Sequence, residues 1–184
     1  MSLTKNLIER IASYIPGYAG YKEREIRREA DALVRRRIAS DLAAAKAKLA
    51  LPITSARQVA SNPDAMYLWD AARAWLDRVI QRIDKAPEGY SGFFDLVKVD
   101  EQALDRLYEM DLSLLDKASA VAKAVDEIAA LQPASEDWMK KMRELISLLS
   151  QLDASIDERS NYIAGLAGVR KQGGDLLRRA LGRQ

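Results

Sequence analysis

Apolar residues recur at steps of three and four along four long stretches of the chain, and this spacing predicts α-helices. The stretches cover residues 21–51, 64–86, 93–132 and 134–164, and none of them contains proline or glycine. Together they make up 125 of the 184 residues. A β-protein needs a turn every 8–12 residues or so. Breaker-free stretches of this length therefore exclude an all-β fold.

Capping residues mark where these helices begin. Asn62 precedes Pro63 and the second stretch, Asp100 lies within the third, and Ser135 begins the fourth. Short polar side chains at these places can accept hydrogen bonds from the first free amides of a helix, and proline suits the first helical position. Two charged residues interrupt the apolar faces that follow: Asp111 in the third stretch and Arg159 in the fourth.

Seven-residue spacing over four or more turns is typical of helices that pack at shallow angles. We therefore predict an all-α fold, an elongated antiparallel bundle of four long helices of the coiled-coil or spectrin-like kind, in which sequential helices are neighbours. A short amphipathic helix precedes the bundle, with an apolar face of Leu3, Leu7, Ile8, Ile11 and Ile15. The fourth helix is expected to end at Gly165–Gly168. This gives a bundle domain over 1–168 and a basic tail over 169–184 with a short helix at Asp175–Leu181.

A pattern of isoleucine, arginine, glycine and aromatic residues occurs twice, 72 residues apart. The first copy is Ile8, Arg10, Ile11, Gly17, Tyr18, Gly20 and Tyr21, and the second is Ile80, Arg82, Ile83, Gly89, Tyr90, Gly92 and Phe93. The predicted topology brings both turns to one end of the bundle, together with Gly165 and Gly168. Glycine supplies positive φ at helix ends. The aromatic rings there would either plug the core or form a binding surface.

The binding-surface interpretation names nine candidate residues: Tyr18, Gly20, Tyr21, Arg24, Arg28, Tyr90, Gly92, Phe93 and Phe94. It requires some of the rings to be exposed, and Tyr18, Tyr90 and Phe94 are the candidates for exposure. Exposed aromatic rings beside arginine are the usual anchors of protein interfaces. The core-plug interpretation predicts buried rings instead.

Charge is distributed unevenly along the chain. Residues 1–50 carry 11 basic and 6 acidic side chains, whereas residues 101–150 carry 6 basic and 10 acidic ones. Glu23, Arg27, Asp31 and Arg35 alternate in sign at steps of four and can pair along one helix. The surplus Arg24, Arg28, Arg36 and Arg37 either bind an acidic partner or pair with the acidic third helix. No sustained basic stripe points to nucleic acid.

The chain contains no histidine and no cysteine, which excludes the nucleophiles and metal ligands that depend on them. No two carboxylates stand three residues apart, and the ladder Glu101, Asp105 and Glu109 is typical of a solvated helix face. We predict no catalytic residues, no metal and no cofactor. No apolar run is long enough for a transmembrane helix. No signal-peptide pattern occurs at the N-terminus, and the lack of cysteine fits a cytoplasmic location.

Two blocks within residues 8–116 resemble a family of small helical proteins from bacteria and some archaea. The first block is Ile15-Pro16-Gly17-Tyr18-Ala19-Gly20-Tyr21 with the charged residues that follow it, and the second begins at Gly89-Tyr90-Ser91-Gly92-Phe93-Phe94-Asp95. The resemblance implies an all-helical fold. It implies no activity, cofactor or site residue, because none is assigned to that family. Genes of the family are associated with neighbours that encode membrane-scaffold proteins of the SPFH type.

These observations favour a non-enzymatic interaction or scaffold protein that presents the glycine-aromatic end to a protein partner. The alternative is a peripheral membrane-surface protein that uses the N-terminal amphipathic helix and the basic tail, with Arg170, Lys171, Arg178, Arg179 and Arg183. A homodimer formed along a helix face is also expected, because a long bundle can leave one apolar seam uncovered.

Overall fold

The computed structural model describes residues 3–21, 27–84 and 100–181, with side chains over 4–21, 27–84 and 100–166. Every regular element in these ranges is an α-helix, as the sequence predicts. The helices are α1 (Leu3–Tyr14), α2 (Arg27–Lys48), α3 (Ile53–Ala60), α4 (Pro63–Asp84), α5 (Glu101–Ala129) and α6 (Glu136–Leu181).

The predicted helix starts are visible in the hydrogen bonds of the caps. Asn62 Oδ1 accepts the amides of Asp64 at 3.1 Å and Ala65 at 3.2 Å, and Pro63 is the first residue of α4. Ser135 Oγ accepts the amide of Trp138 at 3.2 Å, which fixes the start of α6. Asp100 precedes α5 in extended backbone without a side-chain capping bond.

The four long helices enclose one apolar core. The main contacts of α2 are with α4 and α5, and those of α6 are also with α4 and α5, while α1 lies on α5 and α3 on α4. The core is lined by apolar residues of the four periodic stretches, among them Ile38, Leu42, Leu76, Leu115 and Leu149, all nearly or fully buried. The predicted apolar faces are therefore the ones that the fold buries.

Cross-helix pairs give the directions of the helices. Lys46 pairs with Asp77 while Trp69 Nε1 donates to the carbonyl of Leu49, so α2 and α4 run in opposite directions. Glu127 pairs with Lys141 near the end of α5 and the start of α6, so these two helices are also antiparallel. Lys48, near the end of α2, pairs with Asp126, near the end of α5, at 2.5 Å.

One neighbour relation differs from the sequence prediction. Helices α4 and α5 follow one another in the chain, yet the main contacts of α4 are with α2 and α6. The rule that sequential helices are neighbours depends on a connection of a few residues. Asp84 and Glu101 are separated by 16 residues, and a connection of this length does not restrict α5 to the side of α4.

The predicted end of the fourth helix is wrong, because α6 continues through Gly165 and Gly168 to Leu181. A glycine inside a helix costs about 0.5–1 kcal/mol relative to alanine, but it removes no hydrogen bond and causes no clash. The domain boundary placed after residue 168 and the short helix placed at Asp175–Leu181 both lie within α6. Helix α3 was not predicted from the sequence.

Helix α1 buries the apolar face that the sequence gives it. Leu7, Ile11 and Ile15 are buried, and Ile8 is half-buried against the same core. None of the helices in the described ranges is long and apolar enough to cross a membrane.

Candidate functional site

The two charged residues that interrupt the apolar pattern meet inside the bundle. Asp111 on α5 is 0% exposed and Arg159 on α6 is 7% exposed. Arg159 Nε donates to Asp111 Oδ1 at 2.5 Å, so the two form an almost fully buried ion pair. Each residue replaces an apolar side chain on its own helix, and the pair joins the two helices.

A second carboxylate reaches the same guanidinium from α2. Arg159 Nη2 donates to Asp31 Oδ1 at 2.8 Å, and Asp31 is itself buried. The other oxygen of Asp31 accepts Arg35 Nε at 2.8 Å, one turn further along α2. This last pair confirms the predicted pairing at a spacing of four residues. Arg159 thus links α6 to both α2 and α5.

Tyr21 completes the network from the segment between α1 and α2. Its hydroxyl donates to Asp111 Oδ2 at 2.6 Å, and its hydroxyl oxygen accepts Arg159 Nη2 at 3.1 Å. Its amide donates to the Tyr108 hydroxyl oxygen at 2.7 Å, and its carbonyl accepts Arg27 Nε at 2.9 Å. Side chain and backbone of this one residue are therefore both fixed by groups from α2, α5 and α6.

Two glycines give the chain the path that brings Tyr21 to this position. Gly17 and Gly20 both have φ of +84°, as predicted for turns of this kind. A Cβ on Gly20 would lie 2.7 Å from the Tyr108 hydroxyl oxygen, whereas nothing lies within 4 Å of a Cβ on Gly17. Glycine is needed at position 20 because φ is positive and because a Cβ would be too close to Tyr108. At position 17 it is needed only because φ is positive.

The rings of three tyrosines pack together beside the network. Tyr21 stacks on Tyr108 with ring centroids 5.4 Å apart, and Tyr18 meets Tyr21 edge-on at 6.2 Å. All three rings are buried. We refer to Tyr21, Asp31, Tyr108, Asp111 and Arg159 as the Arg159 network.

Burial controls the ionisation of these groups. It raises the pKa of the Asp111 carboxyl, an effect that the Arg159 charge and the hydrogen bonds from Arg159 and Tyr21 offset only in part. It also raises the pKa of the hydroxyls of Tyr18, Tyr21 and Tyr108 above the usual value. For Arg159 burial acts in the opposite direction, but the neighbouring Asp111 and Asp31 carboxylates more than compensate and keep the pKa of the guanidinium raised.

The predicted binding residues fall into three groups. Tyr18, Gly20 and Tyr21 are buried. The binding-surface interpretation is therefore wrong in its expectation that the Tyr18 ring is exposed, because only 5% of this residue is exposed, and the core-plug interpretation is confirmed for this ring. Arg28 is exposed on the first turn of α2. The remaining candidates lie outside the described residues: Arg24, Tyr90, Gly92, Phe93 and Phe94.

The sequence analysis did not place Asp31, Asp111 and Arg159 in a site. A signal was present for two of them, because Asp111 and Arg159 are the charged residues that break an apolar face. A charge in such a position must find a partner of opposite sign once it is buried. Asp31 gave no such signal, since it fits the surface pattern of alternating charges on α2.

The described parts of the two repeats pack in the same way. Ile11 and Ile83 are both buried, at 0% and 3% exposed. Arg10 on α1 forms an ion pair with Asp116 on α5 at 3.7 Å, and Arg82 on α4 pairs with Asp153 and Asp157 on α6. In each repeat the arginine links its helix to an aspartate on a neighbouring helix.

The expected pairing of surplus arginines with the acidic third helix is not seen for Arg37. Its guanidinium donates to Asp41 on the same helix at 2.8 Å and to the carbonyl of Tyr14. Lys48 of α2 does reach α5, where it pairs with Asp126. Carboxylates of α5 pair instead with α1 and α6, through Arg10, Lys141 and Arg159.

The described ranges contain no group of three side chains that could hold a metal ion. Within the ladder Glu101, Asp105 and Glu109, the last residue forms an ion pair with Arg106 at 3.2 Å. Asp105 has one buried carboxylate oxygen with no hydrogen-bond partner among the described residues.

Searches against protein-family models, curated proteins and solved structures found no match to this chain. The resemblance to a family of small helical prokaryotic proteins therefore stays a prediction.

Proposed function

We propose that this protein is a non-enzymatic helical scaffold that binds a protein partner through the glycine-aromatic end of an elongated, coiled-coil-like antiparallel bundle. The surface consists of Arg28, on the first turn of α2, and the sequence-predicted Arg24, Tyr90, Gly92, Phe93 and Phe94. Tyr18, Gly20 and Tyr21 support this surface from inside. We also propose that the protein acts in the cytoplasm.

The observation that carries this proposal is that the charged groups at this end of the bundle are buried and paired with each other. Asp31, Asp111 and Arg159 are buried, and each forms ion pairs or hydrogen bonds within the network. Groups engaged in this way do not reach a substrate in solvent. Their effect is to hold the backbone of residues 17–21 against three helices, which is what a rigid binding end requires.

Arg28 lies next to this fixed segment. The adjacent Arg27 is buried and donates to the carbonyl of Tyr21, while Arg28 on the same turn is exposed. The network therefore sets the position of an exposed arginine relative to the bundle end. Arginine held on a rigid frame is a frequent anchor of protein interfaces.

In-cell photo-crosslinking tests the proposal. A photoreactive phenylalanine analogue replaces Glu29, next to Arg28, in one variant and Gln58, an exposed residue on α3, in a matched control. We expect one discrete adduct from position 29, identified by mass spectrometry, and none from position 58. The adduct should be lost when the variant also carries Arg28→Glu. Equal labelling from both positions, or none from position 29, would contradict the proposal.

The membrane-surface alternative has less support. Its amphipathic helix α1 already buries Leu7, Ile11 and Ile15 against α5. Binding to a lipid surface would require α1 to leave that position and expose these side chains. Sedimentation with anionic vesicles measures this directly, and strong binding of the wild-type protein would favour the alternative.

A further inference from the structure

The outer face of α4 carries a row of five exposed residues. They are Tyr67, Asp70, Ala74, Arg78 and Gln81, spaced at three, four, four and three residues. Residues at this spacing share one face of a helix. We refer to them as the α4 outer row.

The row contains the most exposed ring in the described part of the chain. Tyr67 is 73% exposed, and the other large apolar side chain that lies mostly in water there is Ile53 on α3. The exposed faces of α2 and α6 show no such side chain in the described ranges. Tyrosine is enriched in protein interfaces relative to the rest of the surface.

The charges of the row are available for contact. Asp70 is exposed and forms no ion pair with the described residues. Arg78 forms an ion pair with Asp153 at 3.1 Å and lies over the Trp75 ring at 5.1 Å, but its side chain stays 59% exposed, and Asp153 is also bound by Arg82. The row therefore presents one negative and one positive group on either side of Ala74.

The order of these residues is self-complementary. Asp70 and Arg78 each lie four residues from Ala74, and Tyr67 and Gln81 each lie seven residues from it. In a twofold contact, residue i of one protomer meets residue j of its partner, and j meets i. Two antiparallel α4 helices that cross at Ala74 would therefore form the Asp70–Arg78 pair twice, about 12 Å apart. The small side chain at the centre does not obstruct the approach.

We propose that a second copy of this chain binds along the α4 outer row in an antiparallel, twofold arrangement. This inference goes beyond the proposed scaffold function, because it concerns a different surface and does not depend on it. A contact limited to one helix of 22 residues belongs to the small end of stable interfaces. The dimer should therefore be weak and concentration-dependent.

Charge reversal with mixing provides a test that an unrelated surface would not pass. In Asp70→Arg, two arginines face each other at both ends of the contact, and in Arg78→Glu, two carboxylates do so. A 1:1 mixture of the two variants restores opposite charges in both pairs. Arg143→Glu makes the same charge change as Arg78→Glu, but on the exposed face of α6, and serves as the matched control.

Sedimentation equilibrium of the full chain over about 10–500 µM measures the outcome. For the wild type and Arg143→Glu, we expect the mass to rise from 20.5 kDa towards twice that value. The dissociation constant of the dimer should rise by a factor on the order of ten or more in each charge-reversed variant. The 1:1 mixture should recover the wild-type curve. Circular dichroism checks that Arg78→Glu, which loses its contact with Asp153, keeps its helical fold.

Three results would overturn the inference. One is a wild-type protein that stays monomeric across this range, and another is a dimer that neither charge reversal weakens. The third is a mixture of the two variants that dimerises no better than either variant alone. None of these results bears on the crosslinking test at position 29, so the two proposals fail independently.

Discussion

Among the ion pairs that join α5 to α6, Asp111–Arg159 and Glu127–Lys141 differ in their surroundings. Asp111 and Arg159 are enclosed by three helices and by Tyr21, with side chains 0% and 9% exposed. Glu127 and Lys141 pair at 2.9 Å with side chains 43% and 36% exposed, and Lys141 also pairs with Glu144. The same type of contact between the same two helices is thus made both inside the core and in water.

The comparison shows that the effect of an ion pair on stability depends on its surroundings rather than on the distance between the two charged groups. In water each charge is solvated when its partner is lost, so an exposed pair contributes little. In the core the remaining charge keeps neither water nor a partner. A buried pair is therefore weak evidence for extra stability, but it strongly restricts the alternatives that the chain can adopt.

Arg159→Met should have the largest effect on stability. It leaves Asp111 charged and buried, and it removes the donor to Asp31, so the free energy of unfolding should fall by about 3–5 kcal/mol. Urea denaturation followed by circular dichroism measures the change. The double variant Asp111→Leu/Arg159→Met should lose less than the single variant, because an apolar pair leaves no uncompensated charge. If the single variant were as stable as the wild type, the network would not be closed to water.

Tyr21→Phe should have the next largest effect, about 1.5–3 kcal/mol, because it removes a hydrogen bond to a buried carboxylate. Tyr18→Phe is the matched control. The Tyr18 hydroxyl is buried, but no hydrogen bond joins it to a carboxylate of the described residues, so its removal should cost clearly less stability. Equal losses from both variants would show that the Asp111 contact of Tyr21 has no special role.

A comparison of Gly20→Ala with Gly17→Ala separates the cost of backbone strain from the cost of the close contact with Tyr108. Both substitutions place a side chain at φ of +84°, which should cost about 1 kcal/mol in each case. The Gly20 variant also forces the Tyr108 hydroxyl away from the amide of Tyr21, so it should lose clearly more than the Gly17 variant. Thermal melts of the two proteins give the difference, and identical melting temperatures would refute the close contact.

Stability should fall as pH rises above about 10. Burial raises the pKa of the Tyr18 hydroxyl, so the folded chain keeps a proton that the unfolded chain releases near pH 10. Stability from this group is fully present below that pH and is lost above it, at about 1.4 kcal/mol per pH unit for one proton. Tyr18→Phe should therefore show a shallower decline in denaturation midpoints between about pH 10 and 11. An unchanged slope would mean that Tyr18 ionises as easily in the folded state.

Lys141→Met should have the smallest effect, because Glu127 and Glu144 are solvated once the ammonium group is gone. We expect a melting temperature close to that of the wild type, in contrast to Arg159→Met. High salt should reduce the remaining difference further, since screening acts on exposed charges. A loss as large as that of Arg159→Met would remove the distinction between the two pairs.

The local features of the fold follow from the sequence. Periodicity and the absence of proline and glycine gave the four long helices, and Asn62, Pro63 and Ser135 marked two of their starts. The apolar face of α1 and the positive φ of Gly17 and Gly20 were also predicted. These properties depend on residues within one or two turns of each other, because helix formation, capping and turn conformation are local.

The candidate site was decided by the tertiary structure. Asp111 and Arg159 were visible only as two unexplained interruptions, and nothing in their sequence positions said that they meet each other, Asp31 and Tyr21. The placement of α4 beside α6 instead of α5 and the continuation of α6 through its glycines were not predicted either, and the sequence left open whether the Tyr18 ring is buried. Partners in this network lie 48 to 138 residues apart, and only the packing of whole helices determines which distant side chains share the interior.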